Sequence, residues 1–103
     1  MIAMVEITIQ YFDGCPNWKA AQVAVLRAAP AANITLQPVE SADEAQRLGF
    51  RGSPTILVDG RDPWADSDAP VGLSCRVFQT DSGLAGLPSD AQLAKVLREA
   101  AAG

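Results

Sequence analysis

The chain has 103 residues, 49% of them hydrophobic and 19% charged, the balance of one globular domain, residues 1–103, with enough apolar content to bury a core. A net charge of −4 and a pI near 4.5 argue against nucleic acid or an anionic membrane as partner, since both call for a basic face. No histidine is present, which removes Ser-His-Asp and Cys-His catalysis and imidazole metal sites, and no metal or cofactor is expected.

The start, MIAMVEITIQ, lacks a positive leader and breaks its apolar run at Glu6, so no secretion signal is expected. Two cysteines without such a signal point to a reducing compartment, and hence to a soluble cytoplasmic protein. Val5, Ile7, Ile9 and Tyr11 alternate with Glu6, Thr8 and Gln10, the period of a strand with one better-buried face. Pro16 suits the first turn of a helix, and NWKAAQVAVLRAA continues it until Pro30. NITLQPV, residues 33–39, reads as a second strand, with Pro38 suited to an edge.

Ser41 and Glu44 form a capping box for a short helix that Gly49 closes. Residues Thr55 to Val58 form an apolar strand ended by the turn pair Asp59-Gly60, and 61–72 read as a polar loop. LSCRVFQT is then expected as a strand and DSGLAGLP as a turn region. Ser89 and Gln92 make a second capping box, opening a helix whose Leu93, Val96, Leu97 and Ala100 share one face and whose tail after Glu99 frays.

The order is β-α-β-α-β-β-α. It predicts an α/β fold with a parallel first strand pair, a right-handed crossover, and a mixed four-stranded sheet with helices on both faces. Two motifs are informative within that order. YFDGCPNW places Cys15 between the first strand and the first helix, and FRGSPTILVDG places Pro54 just ahead of an aliphatic strand. Together they resemble the thioredoxin-like superfamily in its minimal form, which carries a Cys-x-x-Cys at the first junction and a cis-proline before the later strand. The likeness spans nearly the whole chain and departs at the second cysteine position, occupied by Trp18. A fainter likeness, LSCRVF around Cys75, is similar to a strand of the alkylmercury lyases; it implies a site of Cys15, Cys75 and Asp13.

A thiolate, not a thiol, attacks a disulfide, and a free cysteine with a pKa of about 8.5 is mostly protonated at neutral pH. The unsatisfied N–H groups and positive dipole end at a helix start favour the thiolate, so Cys15 is expected as a reactive nucleophile on an exposed lip, the alternative being a buried, inert side chain. The thioredoxin resemblance implies that Pro54 is cis and that the backbone N–H and C=O of Ser53 then pair with an extended peptide or thiol substrate. Trp18 is a rim or core residue or a flat face for a ligand. Asp13 is a solvated turn residue or a proton relay. Trp64 folds over either the site rim or the sheet edge, and Arg76 is expected to be a surface charge.

Cys75 is the second candidate. If its strand lies beyond the one after Pro54, two inter-strand steps put it about 10 Å from the first strand. A disulfide needs Cα atoms within about 7 Å, so Cys15 and Cys75 are expected to be unbonded, with Cys75 buried in a strand. The expected function is a single-cysteine thiol redox protein acting on disulfides or glutathione adducts, its partner a protein or glutathione thiol. The alternatives are a non-catalytic binding module with the same fold and an alkylmercury-lyase-like protein using both cysteines.

Overall fold

The computed structural model describes residues 5–65 and 69–102. The first four residues of the opening strand motif, and 66–68 within the expected loop, lie outside the described residues. The elements run β1 (Glu6–Tyr11), α1 (Asn17–Ala28), β2 (Asn33–Pro38), α2 (Ala42–Leu48), β3 (Thr55–Val58), β4 (Phe78–Thr80), β5 (Gly83–Ala85) and α3 (Asp90–Ala102).

β1 is central in a three-stranded sheet of order β2-β1-β3, parallel to β2 and antiparallel to β3. Pro38 therefore ends an edge strand, where the ladder does not require its missing donor. In the β1–β3 register, Ile9 faces Ile56 and Ile7 faces Val58. These four residues meet Ala21, Ala24 and Val25 of α1 and Leu93 and Leu97 of α3 in the main core. Ile9, Ile56, Val25 and Leu93 are wholly buried, each gaining about 1.5–3 kcal/mol from leaving water. A second, smaller cluster of Val39, Ala45 and Phe50 seats α2.

The local signals act as read. Ser41 Oγ accepts from Glu44 N at 3.1 Å, and Gly49 closes α2 in the left-handed region at φ 66°. Ser89 and Gln92 satisfy each other's backbone N–H reciprocally at 3.1 and 2.8 Å. Asp59 and Gly60, at φ 51° and 83°, turn the chain back after β3, with Val58 and Arg61 exchanging both backbone bonds. In α3, Leu93 and Leu97 are buried, Val96 and Ala100 pack against the same core, and the helix runs through Ala102.

The expected four-stranded sheet is not seen. The described residues make a three-stranded sheet plus a separate two-stranded hairpin, β4–β5, built partly from the segment expected to be a turn region. Only Phe78–Thr80 of LSCRVFQT is strand. The reason lies in residue 76. Arg76 and Phe78 point inward while Leu73 and Val77 are exposed, so the segment is drawn in by a charged pair instead of lying flat along an edge. After its turn, β3's partner strand also lasts a single bridge, Val58 with Arg61, before the chain departs.

Candidate functional site

β1 ends at Tyr11, and a turn closed by Cys15 N donating to Phe12 O at 3.2 Å delivers Cys15 to the head of α1. Gly14 lies directly under the Phe12 ring, where a side chain would collide with it. Pro16 caps the helix without a side-chain acceptor, and the first turn has no acidic residue. Negative charge on the Cys15 sulfur thus meets no carboxylate competing for the same end of the helix dipole.

Across from Cys15, the Ser53–Pro54 bond is cis, as the resemblance implied. Ser53 and Pro54 are nonetheless buried, because the chain's own residues 74–76 lie along them. Ser53 N donates to Ser74 O at 2.7 Å, and Ser53 O accepts from Arg76 N at 2.9 Å, giving a parallel bridge between Ser53 and Cys75. Both backbone groups expected to meet a substrate are therefore used within the molecule. Gly52 permits the approach: at φ 125°, a Cβ there would sit 2.9 Å from Arg76 Cβ. Ser53 Oγ is buried and has no hydrogen-bond partner among the described residues.

Cys15 and Cys75 are joined in a disulfide, with Cα atoms 5.7 Å apart. This corrects the expectation that they are unbonded. The two-step distance assumed that the Cys75 segment was a strand beyond β3, whereas it crosses to the cis-proline turn and pairs with Ser53 directly. The environments are also reversed from expectation. Cys15, expected on an exposed lip, is 0% exposed, its sulfur 3.5 Å from Ser53 O, while Cys75, expected to be buried, is exposed.

Arg76, expected on the surface, is 8% exposed. Its guanidinium forks onto Asp62, Nη1 to Oδ2 at 2.7 Å and Nη2 to Oδ1 at 3.3 Å, and also donates to Trp64 O. The Phe78 ring lies 4.6 Å from its central carbon, and Trp64 meets Phe78 edge-on at 6.0 Å. Trp64 thus packs toward the core beside β4, not over the cysteines. Trp18 stacks on Tyr11 at 4.2 Å, with the Lys19 ammonium 5.6 Å from its ring, and also borders the core. Asp13 is exposed and, with Phe12 and Leu73, edges a shallow depression beside Pro38.

On the face of the sheet away from α1 and α3, a cleft of about 390 Å³ runs between Gln10, Thr55 and Leu57 on one side and Asp62 and Arg76 on the other. Asp62, Ser74 and Gly52 are not singled out by the sequence, and Arg76 reads there only as a surface charge. The one available signal was an arginine inside an otherwise apolar run, CRVF, which needs an acidic partner if it turns inward. Among the described residues there is no cluster of three or more metal-ligating side chains, and no helix is long and apolar enough to cross a membrane. Compared with family models, curated proteins and solved structures, the chain gives no significant match.

Proposed function

We propose that the protein is a thiol–disulfide exchange protein whose redox-active pair is Cys15–Cys75, carried on a thioredoxin-like arrangement. The fold reading is supported by the parallel β1–α1–β2 unit, the antiparallel β3, and a cysteine at the β1–α1 junction opposite a cis-proline. The observation that carries the functional reading is the unequal exposure of the two bonded cysteines, one sealed and one open to solvent.

That asymmetry sets the direction of attack. An external thiolate reaches the Cys75 sulfur, forming a new S–S bond there as the bond to Cys15 breaks. Cys15 departs as a thiolate, favoured by the start of α1, and takes up a proton. A second external thiolate attacks its own kind in the mixed disulfide and frees Cys75, which is protonated in turn. Two thiols become one disulfide, and two electrons enter the protein pair. Run in reverse, Cys75 attacks a disulfide or glutathione adduct and Cys15 resolves the intermediate. The single-cysteine cycle expected from the sequence thereby becomes a two-cysteine cycle with the roles exchanged. Exposed disulfides are the labile kind, so this pair suits cycling in a reducing, cytoplasmic compartment.

The test is trapping with glutathione disulfide, followed by intact mass. Cys15→Ser accumulates a glutathione adduct on Cys75, and Cys75→Ser, with its remaining thiol buried, forms one at least tenfold more slowly. A folded parent protein whose disulfide resists excess small thiol, or equal adduct formation by both variants, overturns the reading.

One further reading gains from the juxtaposed cysteines. An alkylmercury-lyase-like reaction needs two thiolates around one mercury atom, and reduction of this pair would supply them, with Asp13 on the same turn as Cys15 as the acid. It predicts protonolysis of an organomercurial that is lost when either cysteine is replaced. No turnover by the reduced parent disposes of it.

A further inference from the structure

We infer that Arg76 is a positioning residue that holds the reduced pair together, and so fixes how strongly the protein favours its disulfide; the inference rests on the redox reading above. Cys75 sits on a stretch without helix or longer strand, between Ala69 and the start of β4. With the S–S bond cut, such a stretch would be expected to swing away. Its far end is tied by Gly72 N donating to Phe50 O at 3.0 Å and by Arg51 donating to Ala69 O, but beside Cys75 the remaining ties lie at its two neighbours. Ser74 and Arg76 bracket Cys75 and both bond to the backbone of Ser53, at 2.7 and 2.9 Å.

The Arg76 side chain is the stronger anchor. It reaches beneath the segment to a carboxylate on a separate part of the chain, Asp62, through two bonds, with side-chain exposures of only 8% and 20%. Arg76 also caps the Trp64 carbonyl and rests on Phe78, so a displaced Arg76 would leave several groups unpaired at once. A fork of this kind fixes register as well as position, and buried ionic pairs are best attested in that role. None of these contacts involves sulfur, so reduction leaves them intact.

The consequence is chemical. With the segment still docked, the Cys75 thiol stays beside Cys15, and ring closure competes with the outside thiol at a high effective concentration. Releasing Arg76 lowers that concentration, and the equilibrium moves toward the dithiol. The pair then becomes a better oxidant and a poorer reductant. Nothing in this chain of effects requires Arg76 to touch the attacking thiol.

The experiment equilibrates the folded protein with mixtures of reduced and oxidised glutathione and reads the oxidised fraction after acid quench and alkylation. Arg76→Met shifts the equilibrium constant toward the dithiol by tenfold or more, about 30 mV for a two-electron couple. Arg76→Lys, which keeps the charge and loses the fork, recovers part of the shift. Asp62→Asn shifts it in the same direction, and the double variant is no worse than Arg76→Met alone, because the two residues act as one unit. Leu93→Ala, a change in the main core, to which neither cysteine belongs, lowers stability and leaves the constant within twofold. An Arg76→Met protein that is folded and equilibrates within twofold of the parent overturns the inference while leaving the redox reading standing. If that variant does not fold, Asp62→Asn carries the same criterion. A folded parent that never equilibrates with glutathione removes the redox reading itself.

Discussion

Reducing the Cys15–Cys75 bond should cost a large share of the protein's stability, and the loss can be worked from chain topology alone. The bond joins residues 60 apart in sequence. In the loop-entropy treatment, cross-linking a loop of that length removes about 4 kcal/mol of freedom from the unfolded chain. A domain of this size has about 5–15 kcal/mol in total, so the bond accounts for between a quarter and most of it. The folded state should change little, since the Ser53 backbone pairing and the Arg76–Asp62 fork do not involve sulfur. The assay is urea unfolding followed by tryptophan fluorescence, with and without reductant. At an m-value of about 2 kcal/mol/M the midpoint should fall by about 2 M. Cys75→Ser should match the reduced parent within about 1 kcal/mol, because the exposed hydroxyl remains solvated. Cys15→Ala should lose roughly a further 1 kcal/mol, because its sulfur is buried and leaves a void. A reduced protein within about 1 kcal/mol of the oxidised one would refute the reasoning, as would Cys75→Ser unfolding at the oxidised parent's midpoint.

Other substitutions probe the surrounding packing. Gly52→Ala, at φ 125° with Arg76 Cβ 2.9 Å from the added carbon, should destabilise by about 2–3 kcal/mol in the same urea assay. Ser53→Ala removes a buried hydroxyl without a partner among the described residues and keeps both backbone bonds, so stability should stay level or rise by about 1 kcal/mol. Leu93→Ala should cost about 3 kcal/mol, whereas Leu84→Ala, 69% exposed, should stay within about 0.5 kcal/mol by thermal melting. The Arg27–Asp90 bridge, 63% and 70% exposed, should add nothing measurable; an effect of Arg27→Ala on melting would contradict that.

Features set by a few adjacent residues could be read from the sequence. The Ser41 and Ser89 caps, Gly49 and the Asp59-Gly60 turn are local chemistry and take the expected form, and β1 alternates as expected as far as Ile9, after which Gln10 is buried and Tyr11 half-buried. Pro54 became legible as cis only through resemblance, because nothing in the residues around it specifies the isomer. The Cys75 region could not be read by apolar alternation. In that stretch the buried residues are Arg76 and Phe78, while the aliphatic Val77 is 63% exposed. The usual inward rule is reversed because Asp62, fourteen residues earlier, neutralises the arginine. No pattern in the sequence announces which acid an inward arginine will find. The sulfur pairing followed from that choice, so one misplaced charge misplaced a strand, a disulfide and the exposure of both cysteines.

The same bond bears on what happens when the polypeptide is severed. A peptide bond cut between Ala65 and Ala69 divides the molecule into pieces that hold Cys15 and Asp62 on one side and Cys75 and Arg76 on the other. The fragments would migrate together on a denaturing gel until reductant is added. A nicked preparation would therefore pass for intact material in any non-reducing purity check, and a split version of this protein already possesses its own covalent splint.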